Sequence, residues 1–289
     1  MATAPLLSVG IPFLDEERLL AAAIRSVLAQ TMSDFELLVI DDGSTDRSLE
    51  IARGFADPRI IVRSDGRRRH LATRLNEVTR HARGRYVARM DADDVAHPRR
   101  FEEQLRLLER DPACDAVGTW AGMIDEHAEP LAIIEASEHG LTPRRVLEHG
   151  VMPHPTLLAR REWFLAHPYD ETLTRTEDRE LWCRTAARTR FAIVPSPLYV
   201  LRVRPTEPSF VSDYVETQRQ NCVLFRRYGP QMIGRTGTAR AWLSAHGKSL
   251  VTRAAVALGA GDRLVRRRGR APTAPERALI DEAVAAARG

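Results

Sequence analysis

Over the first 110 residues short apolar runs alternate with stretches of helical periodicity, and no other feature constrains the fold of this chain as tightly. Leu6 to Pro12 is an apolar run of strand character, and Glu16 to Gln30 follows with Leu19, Leu20, Ala23, Ile24, Val27 and Leu28 at helical spacing. Phe35 to Ile40 is a second strand and Leu49 to Phe55 a second helix. Arg59 to Arg63, Leu71 to Ala82 and Arg85 to Met90 continue as strand, helix and strand. A further helix is expected from about Arg99 to Glu109, with Pro98 in its first turn. Such alternation implies an α/β fold of parallel strands and crossover helices, in which ligands bind beyond the carboxyl ends of the strands.

Two acidic clusters lie at such ends. Asp41-Asp42-Gly43-Ser44-Thr45-Asp46 follows the second strand. One of its side chains would suffice to cap the helix near Arg47, because a single side-chain oxygen satisfies an N-terminal N–H. A carboxylate here can equally accept an N–H of a nucleobase, so Asp42 is open to either role. Asp91-Ala92-Asp93-Asp94 ends the fourth strand. Carboxylates this close repel one another unless a cation or several N–H donors neutralise them, and hard oxygen ligands select Mg²⁺ or Mn²⁺. The plain alternative is a solvated acidic loop. A third pair, Glu177-Asp178, opens a helix expected from Arg175 to Ala187 with Leu181 and Trp182 inward. Acidic residues at a helix start gain about 0.3–1 kcal/mol from the dipole, and spacing alone does not separate that role from catalysis.

Past Asp111 the alternation weakens into an α+β half. Val117 to Ile124 and Leu131 to Ile134 read as strands, Pro153-His154-Pro155 as the start of a short strand through Leu158, and Phe191 to Val194 and Leu198 to Val203 as two more. From Ser212 onward the pattern is helical. At 289 residues, 44% hydrophobic and 28% charged, the chain is an ordinary globular protein of one large domain or two small ones. The net charge of +4 is carried almost wholly by arginine, Lys248 being the one lysine, and by itself chooses no partner. Cys114, Cys183 and Cys222 form no C-x-x-C pair, so neither a disulfide framework nor a thiolate zinc site is indicated, which suits a reducing cytoplasm. No signal peptide and no membrane span is expected.

Taken in order, the clusters resemble those of the family 2 glycosyltransferases, inverting transferases of GT-A fold. Ser8-Val9-Gly10-Ile11-Pro12-Phe13-Leu14-Asp15-Glu16-Glu17 looks like the opening strand and P-x-Y-N-x-E turn, with Leu14 and Asp15 in place of Tyr and Asn. Val39 to Asp46 matches the second-strand motif, Gly84-Arg85-Tyr86-Val87 to Asp94 the strand leading into D-x-D, and Thr176 to Arg184 the E-D-x-x-L-W-x-R helix. The resemblance implies a GT-A type, Rossmann-like nucleotide-binding sheet, an α+β acceptor half and a C-terminal helical extension. It divides the chain into a transferase domain over 1–230, with a nucleotide-sugar half at 1–110 and an acceptor half at 111–230, and a basic extension over 231–289. Pro12, Leu14, Glu17 and Asp42 would line the nucleotide pocket, with Asp42 on the base and Asp91 toward the sugar. Asp93 would hold Mn²⁺ or Mg²⁺ on the diphosphate, and Asp178 would be the general base.

Further positions depart from the pattern or extend it. Arg204 replaces a histidine that can be a metal ligand in relatives, and an arginine there can instead contact the diphosphate. Arg69, nearest the helix start in the Arg67-Arg68-Arg69-His70 tract, is expected to grip phosphate. His154, between two prolines, is an acceptor-side candidate, as is Glu177. The donor implied is a uridine- or thymidine-diphosphate sugar, and the acceptor a hydroxyl of a glycan, glycolipid or small molecule in surface polysaccharide or glycolipid synthesis. No nucleic-acid partner is expected. The rivals are a sugar-nucleotide nucleotidylyltransferase, which should carry a glycine-rich phosphate loop where Pro12 to Glu17 has none, and a catalytically silent binding module. The tail beyond about Gly234, with Arg263, Arg266, Arg267, Arg268 and Arg270, is expected to rest on the cytoplasmic face of a membrane if the acceptor is lipid-linked.

Overall fold

The computed structural model of the chain describes residues 4–204, 209–258 and 269–288. Strands β1 (Leu7–Phe13), β2 (Phe35–Asp41), β3 (Ile60–Arg63) and β4 (Tyr86–Arg89) alternate with helices α1 (Leu20–Leu28), α2 (Ser48–Arg53) and α3 (His70–His81). They pair in parallel, as the alternation implies, and the structure sets their order as β3-β2-β1-β4. β1 and β2 are buried along their whole length, so their period of two divides apolar residues between two cores. Leu7, Val9 and Ile11 join Leu20, Ile24 and Val27 of α1 on one face; Leu38 and Ile40 join Leu75 and Val78 of α3 on the other.

The sheet continues through β5 (Val95–Ala96), α4 (Arg100–Arg110), β6 (Ala116–Ile124), β7 (Pro130–Ile134), β8 (Leu158–Arg160) and β9 (Phe191–Arg202), with β4-β8-β6-β9-β5 as its remaining order and β7 beside β6. The β4–β8 and β8–β6 pairs are antiparallel, which turns the parallel half into a mixed one. Beside it lie α5 (Pro143–His149), α6 (Arg161–Ala166), α7 (Glu177–Thr185), α8 (Ser209–Met232), α9 (Gly234–Ala257) and α10 (Ala274–Arg288). The boundary expected at 230 falls inside α8. α10 seats Ile280, Ala283 and Ala287 against Val95, Ile124 and Val200, and so belongs to the sheet's own core.

Several boundaries differ from expectation. α1 begins at Leu20, not Glu16, and ahead of it the backbone N–H groups of Asp15, Glu16 and Glu17 donate to Ser44, Ser48 and Asp46. Pro98 precedes the α4 cap Arg99 and is not in the first turn. Pro153 to Thr156 forms a 3-10 turn, His154–Thr156, with the strand starting only at Leu158. The two strands expected after Phe191 are one, β9, which passes Pro195 and Pro197 by shifting register against Thr119 to Ala121. Sequence reasoning missed α5, although its start was legible: Thr142 accepts Arg145 N at 3.2 Å and Pro143 follows at the first helical position.

Candidate active site

The loop after β2 is built around glycine. Gly43 has φ 81°, and a Cβ there would stand 2.9 Å from the Arg67 carbonyl carbon, so only glycine lets the Arg67-Arg68 backbone close over the strand end. Asp41 accepts Ser44 N at 2.9 Å and the Ser64 hydroxyl at 2.6 Å, which leaves it structural. Asp42 accepts the N–H of Arg69 at 2.7 Å and of His70 at 3.1 Å, so it caps α3 instead of the nearer α2. It also takes Arg74 Nε at 2.9 Å.

Arg74 was not singled out from sequence, and it organises this end of the site. Only 2% of its side chain is exposed, yet it pairs with Asp42, with Asp65 at 2.7 Å and with Glu77 at 2.7 Å, and donates to the Arg67 carbonyl. Arg74→Met should lower stability by about 3–5 kcal/mol, because Asp42 is left buried without its counter-charge. Urea unfolding monitored by circular dichroism measures it; a loss under 1 kcal/mol, on the order of a surface change, would refute the role.

The opening turn is stitched to the same loop. Asp15, at φ 52°, accepts Thr45 N at 2.7 Å, and Glu17 accepts Arg47 N at 3.1 Å. Glu17 is therefore a loop tether, and it does not line the cavity described below, whereas Pro12 and Leu14 do. Arg69 likewise turns its guanidinium onto Asp65 at 2.7 Å, and Arg68 takes the place in the lining expected of Arg69.

At the end of β4 the carboxylates separate by environment. Asp94 is 4% exposed and accepts Arg202 N at 2.8 Å, and burial pushes its carboxyl well above the usual range. Asp91 and Asp93 keep 32% and 28% of their side chains exposed. Asp91 pairs with buried Arg89 and its N–H donates to the Tyr199 hydroxyl at 3.0 Å, two partners absent from the sequence reading. Asp93 lies 3.4 Å from Arg204, which is also 3.4 Å from Glu16. Burial, and then the Asp91 charge, push the Asp93 carboxyl up to about 6. Two half-exposed hard carboxylates that repel each other suit a divalent cation, and the long Arg204 contacts leave room for one to compete.

The acidic start of α7 stands across from them. Thr176, a β-branched residue, sits in the left-handed region at φ 65°, a strained geometry that sets the direction of the first turn. Leu181 and Trp182 are fully buried, as expected. Glu177 is buried 3.7 Å from His154 Nδ1, and His154 Nε2 meets the Tyr169 hydroxyl at 2.9 Å. His154, Glu177 and Asp178 bring ligand atoms within 4.8 Å of one another. Burial, and then Arg89, hold the His154 imidazole well below its usual range, so it stays neutral; the same Arg89 charge disfavours a cation in this trio.

Burial, and then Asp178, push Glu177 up to about 7. A carboxyl raised in the fold contributes stability below its unfolded value, and that contribution is lost as pH climbs to the folded value. Glu177→Gln should therefore raise the melting temperature of the ligand-free protein at pH 8 by several degrees, equivalent to at most about 3 kcal/mol, and change little at pH 4. Differential scanning fluorimetry across pH tests this; equal shifts at both pH values would contradict it.

A cavity of about 700 Å³ unites the two ends, lined by Pro12, Leu14, Asp42, Arg74, Asp93 and Glu177 among others. Asp91 and Asp178 lie outside that lining, beside its wall residues Asp93 and Glu177. The profile described as "Glycosyl transferase family 2" matches residues 8–164, which span β1 to α6 and both strand-end clusters. The chain belongs to glycosyl transferase family 2. This family 2 transferase is 34% identical over 196 residues to the putative glycosyltransferase EpsE of Bacillus subtilis, covering 64% of the chain and 68% of EpsE. It is 24% identical over 220 residues to WfgD of Escherichia coli, named as a UDP-Glc:alpha-D-GlcNAc-diphosphoundecaprenol beta-1,3-glucosyltransferase, covering 76% and 85%. Its fold is of GT-A type, superposing with TM-score 0.62 and 17% identity on the mannosyltransferase PcManGT from Pyrobaculum calidifontis, solved with GDP-Man and Mn²⁺, over 99% and 86% of the two chains. Membership of the family removes the nucleotidylyltransferase alternative.

Proposed function

We propose that this glycosyltransferase moves a sugar from a uridine- or thymidine-diphosphate donor to an acceptor hydroxyl with inversion, in polysaccharide or glycolipid synthesis. The observation that carries the reading is one cavity running from Asp42 and Pro12 to Asp93 and Glu177, with the exposed Arg68 on its wall where a diphosphate needs counter-charge. Pro12, Leu14 and the Asp42–Arg74 pair hold the nucleotide. Because Asp42 already caps α3, it meets the base with its remaining lone pairs.

Asp93 would hold Mn²⁺ or Mg²⁺, which when bound would offset charge on the departing diphosphate, and Asp91 faces the donor sugar. Arg204 stands beside Asp93, placed to follow the phosphate. Asp178 accepts the proton of the attacking hydroxyl, while Glu177 and His154 shape the acceptor side. The UDP-Glc named for WfgD and the GDP-Man bound to PcManGT bracket the bases to be distinguished.

The test is a thermal-shift series with UDP, dTDP and GDP, each with and without Mn²⁺. A bound nucleotide stabilises by mass action, about 2.7 kcal/mol at a hundred times its dissociation constant. A shift with UDP or dTDP that grows with Mn²⁺ is expected. A shift confined to GDP would reassign the donor, and none with any nucleotide would overturn the reading.

A further inference from the structure

α8 and α9 fold back on each other as a hairpin, and α9 turns an unusual surface outward. Ala241, Ala245 and Thr252 are its buried residues. Trp242, Leu243, Leu250, Val251 and Leu258 are five of the seven large apolar side chains that the described residues expose, and the last four are 58% to 83% exposed. At about 100° per residue, Leu243, Leu250, Val251 and Leu258 fall within roughly 100° of arc, opposite the buried stripe. Ordinary soluble helices place charge there.

The charge that α9 does carry has one sign. Arg235, Arg240, Lys248 and Arg253 are exposed and lie among or beside the apolar residues, and the helix has no aspartate or glutamate. On α8, Val223 is also exposed, three residues before exposed Arg226 and four after Arg219, which pairs with Glu216 at 3.8 Å. A groove of about 400 Å³ separates the two helices, lined by Val215 and Cys222 from one and Trp242, His246 and Leu250 from the other. Thr217 of the same α8 lines the donor cavity.

We infer that the outer face of the α8–α9 hairpin is a docking surface for an anionic lipid bilayer. Apolar side chains flanked by cations match an interface of acyl chains beneath anionic headgroups, whereas a two-fold contact with a second copy would set four cations against four. α9 opens the tail expected to rest on a membrane beyond about Gly234, but the arginines named for that tail are not the ones on this surface. Arg263, Arg266, Arg267 and Arg268 lie outside the described residues. Arg270 is bound to Glu135 and Glu276, each at 2.5 Å, and its backbone pairs with Ile133, so it clamps α10 to the sheet. The α8 connection to the cavity would bring a lipid-linked acceptor to the transferase site, but the docking itself does not rest on the donor assignment.

The full chain is floated with vesicles of phosphatidylcholine alone and of phosphatidylcholine with phosphatidylglycerol, at low and physiological salt. Binding to the anionic vesicles is expected, weakening with salt. Leu243→Glu with Leu250→Glu should reduce the bound fraction by more than about tenfold, and Arg240→Glu with Arg253→Glu should do the same. All four positions are exposed, and an unchanged circular dichroism spectrum and melting temperature certify the fold of each variant. Absence of flotation at both salt levels would overturn the inference, as would binding that neither double variant weakens. A concentration-dependent dimer abolished by Leu243→Glu with Leu250→Glu, without vesicle binding, would assign the face to a second copy and overturn it equally.

Discussion

Asp178→Asn should bind donor as the parent does and turn over about 10²–10⁴ times more slowly, the cost of losing a general base, while Glu177→Gln keeps most of its turnover. An inverting displacement needs one carboxylate within hydrogen-bond reach of the attacking hydroxyl. Neighbouring residues in a helix point about 100° apart, so Glu177 and Asp178 cannot share the task. Glu177 is 6% exposed, packed beside His154, and, with its carboxyl pushed up to about 7, spends much of its time protonated at neutral pH. Asp178 is half-buried and accepts no hydrogen bond among the described residues, which leaves it open to an incoming hydroxyl. The two single variants, compared by steady-state kinetics and by nucleotide binding, decide the matter. Near-normal turnover in Asp178→Asn with a dead Glu177→Gln would exchange the roles, and would put the match of this helix to the family pattern wrong by one residue.

Asp93→Ala should abolish transfer, a fall of at least about 10²–10³, and remove the metal-dependent part of nucleotide binding while leaving the metal-independent part. The fold should survive. Burial and Asp91 already push the Asp93 carboxyl up to about 6, so above that pH its ionised form opposes folding and its removal is not destabilising. Calorimetric titration with UDP, with and without Mn²⁺, separates the two parts of binding. Full activity of the purified variant in excess chelator would defeat the assignment.

Much of the framework was legible in the sequence because it depends on neighbours. The parallel pairing of the first four strands follows from alternation, the burial of Leu181 and Trp182 from helical spacing, and the strand-end location of both acidic clusters from where apolar runs stop. Proline and capping signals were less reliable guides. The Pro195 to Pro197 stretch looked like a break between strands, but β6 holds the chain in line through a register shift. The short helices α5 and α6 carry too few turns for periodicity to register.

What the sequence alone determined is the family's α/β framework and the positions of the carboxylates at its strand ends, since both are written in local period and turn chemistry. Only the tertiary structure decided which carboxylate does what. Asp42 became a buried ion-pair partner through Arg74, 32 residues away, Asp94 a tether for β9, 108 residues away, and Asp93 the neighbour of Arg204, 111 residues away. Burial and counter-charge set the properties of a carboxylate, and both depend on which strands and helices close around it.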